Sequence, residues 1–249
     1  MIYNMDFLIS AMVILLLILW HFLGQKRAED LNNRVFLFFA VLGTADVVAE
    51  FFTNYYITSY NSDMENAAVI VTTIFYLLQA LLPVTFIFYI QTLHEQKIIS
   101  AKKMFISGVP TLVLISVILT NPFTEKLFSF DVTAGYVKGP WYLLMYVSAL
   151  GHFAVALLLI LLWRKKLGPQ KEKILLEIFV ISGVGVVLQM FCQSLLMTGF
   201  GMSLGILALF ITINNPNANL DSLTGLYNHL YLTRKMGELI ASGKSFHII

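Results

Sequence analysis

The sequence predicts an all-α membrane protein, a bundle of seven transmembrane helices with the N-terminus outside and a short cytoplasmic tail, and three observations carry that prediction. The 249 residues are 58% hydrophobic and 12% charged with a mean hydropathy of +0.80, whereas a soluble domain carries about 25% charged residues. Apolar residues gather near 5–24, 35–57, 67–93, 104–120, 140–163, 174–196 and 200–214, and a spanning helix needs about 20 of them at roughly 1.5 Å rise each. Basic residues alternate between the connections. Lys26, Arg27, Arg34, Lys97, Lys102, Lys103, Arg164, Lys165, Lys166, Lys171 and Lys173 fall in the first, third and fifth, while the intervening ones hold only Lys126 and Lys138. The positive-inside rule then puts the tail in the cytoplasm, and an odd number of spans agrees by demanding opposite termini.

Each stretch has its own justification. The first, "MIYNMDFLISAMVILLLILWHFLGQKR", lacks the basic start and small-residue cleavage site of a signal peptide, so it is expected to remain as a helix. The second carries two acids, and the third contains Pro83, which removes one backbone donor and kinks or weakens the helix there. The basic connections "LHEQKIISAKK" and "WRKKLGPQKEK" suit anchors facing anionic lipid. Between spans four and five, "NPFTEKLFSFDVTAGYVKGPWY" has the aromatic, Gly and Pro content of a structured cap, either over an outward-facing cavity or as a plain ordered loop. Gly183 and Gly185 thin the sixth span, and "GMSLG" (Gly201, Gly205) opens the seventh with the spacing of close helix packing, within the bundle or in a dimer.

Several classes are excluded. A net charge of +2 gives no basic surface for nucleic acid, and the single Cys192 rules out an internal disulfide framework or a CxxC metal site. Retinal needs a Schiff-base lysine, and no span carries one near its centre.

Asp46 lies near the middle of the second span and Glu50 follows at i+4, on the same helix face. An acid at that depth costs roughly 2.5–3.5 kcal/mol on insertion scales, so both must face the bundle interior. Counting rise per residue places Gln79 and His152 at the depth of Asp46, with Gln189 slightly outward near Glu50. Two readings fit Asp46, Glu50, Gln79, His152 and Gln189: a polar cavity in the outward half that takes a small ligand, ion or proton, or a satisfied hydrogen-bond network that fixes packing. A pH-driven version of the first pairs His152 with Asp46.

After the seventh span, Pro216 and the asparagines of "NNPNANLDSLTGLYNH" stop the helix. Asp221 or Ser222 is expected to cap a new one, with Leu226, Leu230, Met236 and Ile240 at helical spacing, Gly243 as its end and "SFHII" as a first strand. The domain order is therefore 1–214 membrane, 215–220 linker and 221–249 the start of an α/β unit.

"DSLTGLYNH" resembles the Asp-x-Leu-Thr-Gly-Leu-x-Asn-Arg opening of bacterial GGDEF domains, the diguanylate cyclases that make cyclic di-GMP from two GTP molecules. Asp221, Leu223, Thr224, Gly225, Leu226 and Asn228 match. Ser222 replaces the usual proline, and His229 the usual arginine, which removes any contact depending on that arginine. The membrane part is similar to seven-helix sensor regions found before such cyclases and before some histidine kinases, with "FSFDVTAGYVKGPWYLLMYV" resembling their outer loop and fifth span. The resemblance implies a signal-transduction sensor in the bacterial inner membrane, pairing as a homodimer, with Mg²⁺ and GTP belonging to a catalytic part beyond Ile249. No cofactor is expected in this chain, and the tail is expected to be a severed junction between sensor and output. The alternative is a small-solute or proton transporter or channel using Asp46 and Glu50; the missing inverted repeat weakens it.

Overall fold

In the computed structural model, residues 4–24, 31–60, 62–95, 101–131, 133–212, 224 and 226–241 are described. The apolar stretches form helices α1 (Asp6–Gly24), α2 (Leu31–Thr58), α3 (Glu65–Glu95), α4 (Ala101–Thr124), α5 (Leu143–Leu167), α6 (Pro169–Phe191) and α7 (Met197–Thr212). Strands β1 (Phe128–Asp131) and β2 (Gly135–Lys138) make an antiparallel hairpin between α4 and α5, and α8 (His229–Ala241) follows in the tail. Several hydroxyls within the spans are satisfied locally: those of Thr44, Thr73 and Thr85 donate to the carbonyls of Ala40, Val69 and Leu81, one turn back. Gly168, at φ 79°, ends α5 by donating its N–H to Arg164 O, and Pro169 then opens α6 where no N–H is needed.

Packing closes a ring. α1 lies against α2 and α7, α2 against α3, α3 against α5, α5 against α6, and α6 against α7, while α4 sits outside against α3 and α5. On α1 the buried stripe Leu8, Ala11, Leu15, Ile18, Phe22 faces the ring, and Ile9, Val13, Leu16, Leu17 and Trp20 are exposed on its back. Comparable apolar outer faces on the other long helices form a surface suited to hydrocarbon, not water. Among the described residues, six helices are long and apolar enough to cross a membrane. The protein is a multi-pass membrane helix bundle.

Three sequence expectations change. The seventh span is the shorter apolar helix α7, whose 16 residues cover about 24 Å against a hydrocarbon core of about 30 Å. The sixth ends at Phe191, and a 3₁₀ turn (Gln193–Leu195) followed by Leu196 in the left-handed region (φ 50°) reverses the chain. In the tail, α8 starts at His229 with the Asn228 side chain accepting from Tyr231 N at 2.9 Å. The expected caps Asp221 and Ser222, the linker 215–220 and the "SFHII" strand lie outside the described residues.

Two cores fill the bundle. At the end carrying the basic connections, Phe22, Phe36, Phe39, Tyr89 and Ile90 are buried together, Phe22 and Phe36 with ring centroids 5.0 Å apart. At the other end, Leu114, Ile118, Phe128, Phe130 and Met145 knit the hairpin onto α3, α4 and α5. The connection expected to be a structured cap is this hairpin. Buried Asn121 holds it, its amide donating to Phe128 O at 2.9 Å while its oxygen accepts from Leu127 N at 2.7 Å and Phe128 N at 3.3 Å.

Candidate functional site

A cavity of about 180 Å³ lies inside the ring, walled by α2, α3, α5, α6 and α7 and reaching the surface beside the hairpin. Asp46, Glu50, Gln79, His152 and Gln189 all line it. The α2 wall carries Asp46, Glu50, Thr53 and Ile57, and the α3 wall Thr72, Tyr76, Gln79 and Pro83, each at the i, i+4, i+7, i+11 spacing of one helix face. α2 runs toward the hairpin and α3 back from it. Asp46 and Gln79 therefore sit deep, and Thr53 and Thr72 lie about 10 Å nearer the mouth.

Glu50 and Gln189 are joined. The Gln189 amide donates to Glu50 Oε1 at 3.3 Å, and its oxygen accepts from Thr198 N at 2.7 Å. Thr198 lies in the first turn of α7, where backbone N–H groups lack helical partners. One side chain on α6 thus caps α7 and holds an acid on α2. Gly199 permits the approach, since a Cβ there would stand 3.0 Å from Glu50 Oε2. For this pair the hydrogen bonds link α2, α6 and α7.

Asp46 differs. It is 2% exposed, and its Oδ1 has no hydrogen-bond partner among the described residues. The hydroxyls of Thr53 and Thr72 are also buried in the cavity wall without a partner there. Gln79's backbone carbonyl lies one turn before Pro83, which has no N–H to offer it.

His152 lines the cavity, but its ring is committed elsewhere. Nδ1 lies 2.7 Å from Ser148 O, a pure acceptor, so Nδ1 carries a proton, and Nε2 is 2.9 Å from Thr111 Oγ1 on α4. The expected His152–Asp46 pair is replaced by this Ser148–His152–Thr111 link.

At the mouth, Tyr136 of β2 meets Tyr76 of α3 hydroxyl to hydroxyl at 2.7 Å, with Phe128 edge-on to the Tyr76 ring and Phe130 edge-on to the Tyr136 ring. The Lys138 ammonium sits 4.9 Å from the Tyr142 ring centroid, and partial burial lowers its pKa from the ordinary lysine value. The hairpin turn is locked by Asp131, whose Oδ1 accepts from Thr133 N at 2.8 Å, Ala134 N at 2.9 Å and Thr133 Oγ1 at 2.5 Å.

Sequence reasoning does not single out Thr53, Thr72 or the hairpin residues. Thr53 is within its reach, since it falls seven residues after Asp46 on the same face. Thr111 and Tyr136 have no local signal, because their roles depend on how α4 and the hairpin dock.

Of the tail motif, Thr224, Leu226 and Asn228 are described. Thr224 Oγ1 accepts from Leu226 N at 3.4 Å, and Asn228 caps α8. Asp221, Leu223 and Gly225 lie outside the described residues. No family model matches the chain, and no curated protein is significantly similar to it. Fold and cavity together define the class: a multi-pass membrane helix bundle with an internal, mainly apolar pocket that carries a few polar side chains.

Proposed function

We propose that the protein is a membrane-embedded sensor whose output is a diguanylate cyclase domain opening at Asp221. One observation carries the reading. α7 lines the cavity through Thr198, Met202 and Ile206, is capped by a cavity residue, and is the helix that leads to the tail. An occupant that favours one packing of α7 over another biases whatever follows it, by its differential affinity for the two states. The six residues of "DSLTGLYNH" that match the cyclase opening supply the identity of the output.

In this reading the N-terminus and hairpin face outward, the tail is cytoplasmic and the membrane is the bacterial inner membrane, as the basic connections favour. Mg²⁺ and GTP belong to the output domain, and the bundle pairs with a second copy as cyclases do. A transporter using Asp46 and Glu50 would need a path through the basic-end core, which Phe36, Phe39, Tyr89 and Ile90 fill; proton or solute uptake into liposomes by the bundle would reinstate it.

The test joins residues 1–220 in frame to a complete cyclase catalytic domain and measures cyclic di-GMP in membranes. Asp46→Asn and Gln189→Ala are expected to change output several-fold at equal protein level. Output that ignores every cavity substitution would remove the sensor reading. Sequencing the gene past the Ile249 codon tests the output itself: a metal-binding aspartate and a Gly-Gly-acidic-Glu-Phe loop in frame are expected, and their absence would remove the cyclase.

A further inference from the structure

We propose that the cavity binds a small organic ammonium ion, its charged nitrogen at Asp46 and Glu50 and its carbon body among the aromatic rings toward the hairpin. This rests on the sensor reading only in that the cavity has an occupant.

From Asp46 in the deep wall to Thr53 and Thr72 nearer the mouth, the cavity offers polar atoms that nothing among the described residues satisfies. Asp46 Oδ1 and the hydroxyls of Thr53 and Thr72 are at least nine-tenths buried and unpartnered, although buried polar atoms in folded proteins are almost always hydrogen-bonded. All three residues line the same cavity. Burying a carboxyl without a partner is costly, which favours an occupant that brings N–H or O–H donors to it. Two carboxyl groups one turn apart, only one of them held by a protein donor, favour a positively charged donor over a neutral one.

The remaining walls select the rest of the ligand. Phe75, Tyr76, Tyr146 and Phe153 line the cavity, and aromatic faces attract a cation while giving an apolar body a dry surface. A bare divalent ion fits poorly, because it takes about six to eight oxygen ligands and no group of three His, Cys, Asp or Glu residues able to hold a metal occurs among the described residues. At about 180 Å³ the space slightly exceeds the roughly 150 Å³ that accommodates benzene. A single-ring or short-chain amine is the matching size.

The experiment uses the full chain in lipid nanodiscs and three near-isosteric probes: 2-phenylethylamine, 2-phenylethanol and 3-phenylpropanoate. Isothermal titration and ligand-observed NMR are expected to show saturable binding of the amine, at least about tenfold weaker binding of the alcohol and no saturable binding of the carboxylate. Asp46→Asn is expected to weaken the amine by about tenfold and leave the alcohol unchanged. The probe series on the unaltered chain tests the proposal even if that variant fails to fold.

Equal binding of amine and alcohol would overturn the proposal, as would no amine binding up to about 10 mM or saturation by sodium chloride alone. A fluorophore at Ile211→Cys in a Cys192→Ser background separates the two readings. Amine binding without a change at that label would sink the sensor reading and keep this one. No amine binding would sink this one and leave the sensor open to another occupant.

Discussion

At the residue scale, Gln189 does three things with one amide: it caps α7, holds Glu50 and lines the cavity. Gln189→Ala leaves Thr198 N without its acceptor and Glu50 buried without its donor. The expected loss is about 2 kcal/mol, since removing one partner of a buried pair exposes the desolvation cost of the other; thermal unfolding in detergent measures it, and an unchanged midpoint would mean that solvent already satisfies both groups. Asp131 behaves oppositely, being exposed and satisfied. The Thr133 side chain first, then the Ala134 and Thr133 amides, hold its carboxyl below the usual aspartate range. Because the folded value is depressed, its contribution to the turn is present at neutral pH and is lost only as pH falls through that lowered value. The amide resonances of Thr133 and Ala134 should therefore hold steady through the pH range where an ordinary aspartate titrates and move below it. Movement within the ordinary range would show that the turn does not bind the carboxylate.

At the element scale, α6 and α7 meet through glycines. A Cβ at Gly185 would stand 2.9 Å from Met197 O, and one at Gly201 would stand 3.1 Å from Ile181 O, both backbone atoms that cannot step aside. The "GMSLG" step therefore packs inside the bundle. A Cβ at Gly183, two residues from Gly185, would meet nothing within 4 Å. Gly185→Ala should cost about 1–3 kcal/mol and Gly183→Ala should gain up to about 1 kcal/mol; equal midpoints in thermal unfolding would remove the steric account. The hairpin supplies a similar contrast, and Asn121→Ala should strip hydrogen-exchange protection from Leu127 and Phe128 while the α2 amides keep theirs. Most of this scale was legible in the sequence, because hydropathy marks a span and an i+4 pair of acids marks a face whatever the neighbours do. Boundaries were not, since Leu196's left-handed turn and the early start of α6 at Pro169 depend on tertiary contacts. Depth counting placed Gln189 beside Glu50 because rise per residue is fixed. It failed for the expected His152–Asp46 pair because it says nothing about rotation, and Thr111 holds that ring toward α4.

At the scale of the whole molecule, the two cores divide the labour. The basic end is packed with large apolar side chains, Phe36 and Tyr89 among them, whereas the hairpin end encloses a cavity with unsatisfied acceptors. A close-packed half resists continuous deformation, so in the proposed sensor a change around the cavity would reach the tail as a rigid displacement of the helix that crosses both halves. α7 is that helix, with Thr198 at the cavity and Leu209 in the apolar core. Spin labels at Ile211→Cys on α7 and Leu162→Cys on α5, both exposed positions, in a Cys192→Ser background would report its displacement. Asp46→Asn replaces one carboxyl oxygen of the cavity wall by an amide NH2, and Gln189→Ala removes the cap of α7. Both are expected to shift the label separation by about 1–2 Å, the size of helix shifts that couple sites in other proteins. Gly183→Ala, which touches neither, should leave it unchanged. If the two cavity substitutions alter stability but not this distance, α7 is a strut and not a transmitter, and the signal to the tail would have to travel by another helix.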